Sequence, residues 1–235
     1  AEAKVVAEPS VASDAPAKRE TETLITSIAE PDADDDVPYL GTLIADRYLV
    51  LSLIGRGGMG SVYKAEQIHL RKQMAVKLLH EGMSGRKQLI SRFTREARAI
   101  SRLSSPHTVG VYDFGRWNDL FYLVMELLEG EAIDAVLERE GPMDAERASR
   151  VVLQMCDSLA EAHKAGIVHR DLKPDNIMIA KARNGSDMVK VVDFGIAKAS
   201  SSDAQKVTKT GLVVGTPEYM SPEQLAGDKL DGRSD

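Results

Sequence analysis

Four glycines between Ile54 and Val62 could bring the backbone close to a polyphosphate. The run reads Gly-Arg-Gly-Gly-Met-Gly, with glycine at positions 55, 57, 58 and 60. Because glycine has no Cβ, its N–H groups can face phosphate oxygens at short range. This spacing alone does not separate a phosphate-binding loop from an ordinary glycine-rich turn. Strand-like residues follow directly, so we expect the loop to cap a β-hairpin, whereas a dinucleotide-binding loop would lead into a helix.

A lysine and a glutamate farther along the chain could form a buried ion pair. Lys77 ends the apolar run Ala75-Val76-Lys77, and a lysine on a buried strand needs an anionic partner. Glu96 lies three residues after Phe93 and four before Ile100, so it shares the apolar face of a predicted helix. We expect Glu96 to pair with Lys77 and to orient its amine towards phosphate. Two solvated surface charges are the alternative.

Two further motifs carry acidic and amide side chains suited to proton transfer and metal binding. Asp171 and Asn176 lie five residues apart on one predicted loop. A carboxylate can accept the proton of a hydroxyl group, and an amide oxygen can ligate a hard metal ion. Asp193 begins an Asp-Phe-Gly triplet directly after an apolar run. A carboxylate at that place could bind magnesium.

In this order, the four motifs resemble the signature set of the protein kinases. The phrases GRGGMGSVYKA, HRDLKPDNIM, VKVVDFGIAK and GTPEYMSPEQ are similar to those of bacterial serine/threonine kinases of the eukaryotic type, over residues 47–235. The resemblance implies an α+β fold of two lobes: a small antiparallel sheet with one helix, and a mainly helical large lobe. The family's central helix would begin at Asp235, so we expect an incomplete large lobe and a truncated kinase that is inactive alone.

The resemblance also implies a role for each motif residue. Asp171 would accept the proton of the substrate hydroxyl, and Lys173 would stabilise the transferred phosphoryl group. Asn176 and Asp193 would hold Mg²⁺, with Mn²⁺ as a substitute. Lys77, paired with Glu96, would contact the phosphates. The residues that the resemblance places around ATP are Ile54, Gly55, Gly57, Gly58, Gly60, Val62, Ala75, Lys77, Met125 as gatekeeper, the backbone of Glu126 and Leu128, Met178 and Asp193.

The expected substrates are serine and threonine hydroxyls of proteins. Lys173, two residues after Asp171, favours them over tyrosine, and so does the segment around Thr216. Arg170 and the threonine pair Thr208 and Thr210 resemble an activation loop that is regulated by autophosphorylation, for which copies of the protein could associate. A nucleotide-binding pseudokinase scaffold and a small-molecule phosphotransferase are the alternatives. The complete set of motif residues argues against the first, and a segment suited to positioning a peptide argues against the second.

Short strands must position these motifs. Apolar runs predict a hairpin from 48–51 and 61–65, a third strand at 74–79, and two more at 109–112 and 121–125. Helical spacing of Phe93, Ala97 and Ile100 predicts one helix. A longer helix follows, with a predicted apolar face that includes Val151, Val152 and Leu159, ending before Gly166. Two more strands are predicted at 176–179 and 189–192.

Charge and composition divide the chain. Residues 1–46 carry eleven acidic and three basic side chains, a net charge of −8, whereas the whole chain carries −6. Prolines interrupt this segment, so we predict a disordered acidic tail. The remainder carries +2, which is not the basic surface of a nucleic-acid-binding protein. We expect a small ATP-binding lobe over 47–125 and part of a large catalytic lobe over 126–235.

The same composition bears on location and redox chemistry. No apolar run approaches the roughly 18 residues of a membrane span. We therefore expect no membrane contact within this chain and a cytoplasmic location, while an anchor beyond Asp235 stays open. The one cysteine, Cys156, excludes an intramolecular disulfide, and its apolar surroundings predict that it is buried.

Overall fold

Six antiparallel strands form the sheet that carries the glycine-rich loop and Lys77. The computed structural model describes residues 37–57, 60–79, 87–182, 184–194 and 217–235. The strands are β1 (Leu43–Ile44), β2 (Tyr48–Gly57), β3 (Gly60–Gln67), β4 (Lys72–Leu79), β5 (Val111–Trp117) and β6 (Leu120–Met125). Their order in the sheet is β1-β2-β3-β4-β6-β5. The predicted hairpin is confirmed, because β2 pairs antiparallel with β3 and Gly57 lies opposite Gly60.

The helix α1 (Lys87–Ile100) packs its apolar face against this sheet. Phe93, Ala97 and Ile100 are buried, and they recur at the spacing that places side chains on one helix face. The rings of Phe93 and Phe121 lie 4.9 Å apart between centroids. Burying a phenylalanine side chain contributes about 1.5–3 kcal/mol, so these contacts fix the helix beside β5 and β6. The predicted helix is confirmed.

A second part of the fold follows β6. It contains β7 (Gly130–Ala132), α2 (Ile133–Glu140), α3 (Ala145–Lys164), β8 (Ile177–Lys181), β9 (Asp187–Val191) and α4 (Pro222–Ala226). Single 3₁₀ turns occur at Pro174–Asn176, Pro217–Tyr219 and Gly232–Ser234. The three short strands form an antiparallel sheet in the order β7-β8-β9. One core cluster includes α1 and both sheets as well as α3.

The long helix α3 ends before Gly166, as predicted, and begins after a capping residue. The side chain of Asp144 accepts a hydrogen bond from the Arg147 backbone N–H at the N-terminus, a favourable cap. Gly166 adopts φ +74° just beyond the C-terminus. The predicted apolar face is wrong in part, because Val152 is 51% exposed. Cys156 is also exposed, since it lies one position after Met155 and turns away from the buried side of the helix.

The loop between α1 and β5 is fastened to α3. The carboxylate of Glu161 accepts hydrogen bonds from the backbone N–H groups of Ser104 and Ser105, at 2.9 and 2.7 Å. Those backbone donors lower the pKa of Glu161, with the Ser104 bond as the largest cause. The hydroxyls of Thr108 and Ser158 lie 2.7 Å apart in a buried contact. These contacts connect the sheet that carries Lys77 to the part of the fold that carries the loop 169–176, named the catalytic loop for its proposed role.

One sequence-based boundary differs from the structure. The tail predicted through residue 46 ends earlier, because Leu43 and Ile44 pair with Leu49 and Tyr48 and Ile44 is fully buried. A two-residue strand is too short to show a periodic pattern, so it could not be predicted from the sequence. The lobe boundary at residue 125 stays a prediction, and residues 38–235 form one compact unit. In the described ranges, no helix is both long and apolar enough to cross a membrane.

Candidate active site

Lys77 reaches across from β4 to Asp193, two residues beyond the end of β9. Its Nζ donates a hydrogen bond to Asp193 Oδ2 at 2.7 Å, and the lysine side chain is only 15% exposed. On its own sheet Lys77 lies opposite Val62 and Leu123. Asp193 has φ +57°, a left-handed conformation that turns the carboxylate out of the line of β9. The structure therefore brings together two of the predicted site residues.

The predicted pairing of Lys77 with Glu96 is not the one that the structure shows. Glu96 Oε1 lies 3.9 Å from Arg95 Nη2 and 3.9 Å from Arg170 Nη1. Glu96 does lie on α1 and is partly buried, as predicted. The correction has a simple cause. Two carboxylates can serve one ammonium group, and the sequence does not show that Asp193 is brought within hydrogen-bond distance.

The catalytic loop is organised around a buried histidine. His169 is fully buried, its ring lies 4.7 Å from that of Phe194, and burial lowers its pKa. Its Nε2 lies 2.9 Å from the carbonyl oxygen of Val192, which can only accept, so Nε2 carries the hydrogen. Nδ1 is then the acceptor for the backbone N–H of Asp171 at 3.3 Å. His169 thus acts as a structural support for Asp171.

Asp235 fixes the same loop from the other side. Its Oδ2 accepts the backbone N–H of His169 at 2.6 Å, and its Oδ1 accepts that of Arg170 at 2.8 Å. His163 Nε2 lies 2.9 Å from Oδ2. The carboxylate is 1% exposed, and Arg170 is held at φ +66°. This role could not be predicted from local patterns, because Asp235 and Arg170 are 65 positions apart.

Asn176 connects the catalytic loop to the second sheet. It is buried, and its Nδ2 donates to the backbone carbonyl of Asp171 at 2.7 Å. That bond fixes the amide plane and leaves Oδ1 as the atom suited to a cation. Lys173 Nζ lies 3.4 Å from Asp175 Oδ2. Asp171, Lys173 and Asn176 therefore lie on one short, well-supported loop.

The predicted adenine site is lined by residues of β3, β4 and β6. Ala75 and Met125 are buried and lie opposite each other in the sheet. Val62 and Leu128 are partly buried and pack against the same core cluster. The backbone N–H of Glu126 already donates to the Gly110 carbonyl at 2.8 Å. Its carbonyl is therefore the group that remains suited to the edge of a base.

Met178 and Ile54, the other two hydrophobic residues of the predicted adenine site, differ in exposure. Ile177 and Ile179 of β8 are buried in the core, whereas Met178 between them is only partly buried. Since side chains alternate across a strand, Met178 belongs to the opposite face. Ile54 on β2 is 52% exposed. Both are placed to contact a ligand without being needed in the core.

The glycines of the loop fall into two groups. At Gly60 an added Cβ would lie 2.1 Å from the Leu78 carbonyl oxygen, so glycine is required there for close approach of β4. At Gly55 nothing lies within 4 Å of such an atom, and at Gly57 the nearest atom is 3.9 Å away. Open space at these two positions suits the approach of a ligand. Gly58, Thr208, Thr210 and Thr216 lie outside the described residues.

Besides Asp235, sequence reasoning missed Lys190 and Gln224, which also support the site. Lys190 Nζ lies 2.8 Å from Glu126 Oε2. Gln224 Nε2 donates to the Arg170 carbonyl at 3.0 Å. The pattern of Ser221 and Gln224 is that of a capping box, which predicts a helix start. It contains no signal for a contact 54 residues away.

A cavity of about 380 Å³ lies beside the catalytic loop. Ile133, Leu137 and Met155 form part of its apolar wall, and Asp171 and Lys173 line its polar side.

A protein-kinase-domain family model matches residues 48–235. The chain belongs to the protein kinase family. Membership of this family accounts for the order in which Lys77, Asp171, Asn176 and Asp193 occur along the chain.

Curated relatives of this kinase-family chain are bacterial serine/threonine-protein kinases. It is 46% identical over 208 residues to pkn3 of Myxococcus xanthus, covering 87% of this chain and 38% of the relative. It is 40% identical over 196 residues to PknB of Mycobacterium tuberculosis strain H37Ra, covering 82% and 31%. The chain thus spans less than two fifths of the length of these relatives.

Solved structures support the same fold. The kinase domain of Mycobacterium tuberculosis PknI has a TM-score of 0.65 and 26% identity, covering 83% of this chain and 71% of that one. Rad53 in complex with AMP-PNP has a TM-score of 0.62 and 25% identity, covering 77% and 43%. The resemblance to bacterial serine/threonine kinases and the predicted α+β kinase fold are confirmed.

Proposed function

We propose that the protein containing this chain transfers the γ-phosphoryl group of ATP to serine and threonine hydroxyls of proteins. The observation that carries the proposal is the 2.7 Å contact between Lys77 Nζ and Asp193 Oδ2. This contact joins the sheet that bears the glycine-rich loop to the strand next to the catalytic loop. A cation for phosphate and a carboxylate for metal therefore lie side by side.

The donor set suits a magnesium ion that is shared with a nucleotide. Asn176 and Asp193 would hold Mg²⁺, or Mn²⁺ in its place, through one amide oxygen and carboxylate oxygens. Magnesium commonly keeps few protein ligands and takes the others from phosphates and water. When bound, the ion would neutralise charge on the phosphates.

Asp171 is the residue proposed to accept the substrate proton. Its backbone N–H is bonded to His169, and its carbonyl accepts a bond from Asn176. Both anchors are buried, so the Cα of Asp171 is fixed while its side chain reaches the catalytic loop surface. Fixed geometry is what a general base requires, because a misplaced base loses most of its effect.

Several finer assignments belong to this proposal. Lys173 favours serine and threonine over tyrosine as acceptors. Thr208 and Thr210 are sites of autophosphorylation between copies of the protein, which raises activity through Arg170. The chain acts in the cytoplasm on protein substrates. The relatives' names support the kinase class and leave the substrate open.

The test is phosphate transfer from radiolabelled ATP by the purified full-length protein. We expect incorporation into a generic protein substrate rich in serine and threonine, and none into a panel of small alcohols. Asp171→Asn is the control for catalysis, and exposed Asp119→Asn is the control for loss of an acidic side chain. Nucleotide binding without transfer would favour the pseudokinase alternative. Transfer to a small alcohol alone would favour the phosphotransferase alternative.

A further inference from the structure

Gln224 has its side-chain amide held in one orientation. It lies in α4, whose first turn forms a capping box with Ser221. The Ser221 backbone N–H donates to Gln224 Oε1 at 2.8 Å, and a backbone N–H cannot accept. Oε1 must therefore face Ser221, which directs the Nε2 donors the other way.

The directed donor bonds to the peptide that precedes the proposed base. Gln224 Nε2 lies 3.0 Å from the carbonyl oxygen of Arg170. That oxygen belongs to the same peptide group as the Asp171 N–H, which donates to His169 Nδ1. Both polar atoms of this peptide are thus bonded to side chains. Since peptide groups are planar, the two bonds together set the direction in which the Asp171 Cα is presented.

The peptide is held in a conformation that needs such support. Arg170 has φ +66°, in the left-handed region that non-glycine residues seldom occupy because it is strained. Asp235 bonds the N–H of Arg170, and Gln224 bonds its carbonyl. Without the Gln224 bond, the 3.3 Å bond from the Asp171 N–H to His169 Nδ1 would be left to hold this peptide, and Asp171 would be placed less firmly.

We propose that Gln224 is a positioning residue for Asp171 and couples α4 to the proposed catalytic base. The inference rests on the proposed function, because it gives Gln224 a role only through proton acceptance by Asp171. The required chemistry is narrow. The side chain must accept from one backbone N–H and donate to one backbone carbonyl, which a primary amide of this length does.

Two variants of the full-length protein separate this role from helix stability. Gln224→Glu keeps the length and the acceptor but removes the donor, and Gln224→Met keeps the length and removes both. We expect each to lower kcat about 10- to 100-fold, the effect of a displacement of order 1 Å, with the Kd for MgATP within twofold of wild type. Ser221→Ala is the matched control. It removes the capping hydroxyl but keeps the N–H that orients Gln224, so kcat should stay within twofold although the Tm falls.

A double-mutant cycle with Asp171→Asn tests whether the effect passes through the base. In the Asp171→Asn background, we expect Gln224→Glu to lower the residual rate by less than twofold. A further 10-fold loss in that background would overturn the proposal. So would near-normal kcat in both Gln224 variants, or an equal loss in Ser221→Ala. If the wild type transfers phosphate and Asp171→Asn does not, the proposed function stands whatever the Gln224 variants show. A wild type that transfers no phosphate would overturn both the proposed function and the role of Gln224.

Discussion

Lys190 Nζ lies 2.8 Å from Glu126 Oε2, so an ion pair ties β9 to the segment that follows β6. The two side chains are 15% and 31% exposed. The same carboxylate atom lies 3.4 Å from the Gly110 backbone nitrogen. Glu126 is also the residue whose backbone we expect at the edge of the adenine. The pair therefore helps to fix the segment that carries this backbone.

We predict that Lys190→Met lowers the free energy of unfolding by about 1–3 kcal/mol, because it leaves a partly buried carboxylate without its cation. Lys190→Arg should recover most of the loss. Urea denaturation of the full-length protein measures the change. Arg116→Met is the matched control, since Arg116 and Asp119 form an ion pair of exposed side chains and such pairs contribute little. Equal losses in both variants would contradict the prediction.

Asp171→Asn should remove phosphate transfer and keep nucleotide binding. The substitution retains the backbone bonds of residue 171 with His169 and Asn176 but removes the proton acceptor. We expect the catalytic rate to fall at least about 100-fold, the usual effect of a positioned base. Single-turnover kinetics and MgATP titration measure the two quantities separately. A parallel loss of affinity would assign Asp171 to binding.

Asp193→Asn should give the opposite pattern and weaken MgATP binding itself. The variant loses a carboxylate oxygen for the metal and the partner of Lys77. We expect the Kd for MgATP to rise, and the rise to be larger with magnesium than for ATP alone. Isothermal titration with and without the metal measures this difference. Unchanged affinity in both titrations would reverse the assignments of Asp193 and Asp171.

How much the sequence predicts depends on the distance between interacting residues. The hairpin of β2 and β3 and the helix α1 follow from local patterns, since Phe93, Ala97 and Ile100 recur at helical spacing. The partner of Lys77 does not, because Asp193 lies 116 positions away and Glu96 offers the same charge. Asp235 and Gln224 act on the backbone of the catalytic loop. Backbone hydrogen bonds leave no pattern in the residue types of the loop that receives them.

Thr208 and Thr210 are the predicted regulatory sites of the activation loop. Phosphate on either threonine would bring two negative charges towards Arg170, which lies next to Asp171 and 3.9 Å from Glu96. We expect phosphate on this pair in the expressed full-length protein, by mass spectrometry. We also expect the double variant Thr208→Ala, Thr210→Ala to have lower kcat. Full activity of the double variant would show that regulation lies elsewhere.

His169 should make the stability of the protein depend on pH below neutrality. Burial lowers its pKa in the folded state, whereas in the unfolded chain the group titrates near 6.5. Below about pH 6.5 the unfolded state therefore binds a proton that the folded state does not, and stability falls as the pH falls, by at most about 1.4 kcal/mol per pH unit. Above about pH 7.5 both states are neutral and this contribution is constant.

The measurement is the urea midpoint of wild type and His169→Phe between pH 5.5 and 8. Phenylalanine should lower stability at every pH, because the Val192 carbonyl and the Asp171 N–H lose their partner. It should also flatten the slope below pH 6.5, since no proton is taken up at residue 169 in either state. His69→Gln removes an exposed histidine and should retain the wild-type slope. If His169→Phe retains that slope as well, the acid sensitivity arises at other groups, and the neutral, hydrogen-bonded state assigned to His169 is wrong.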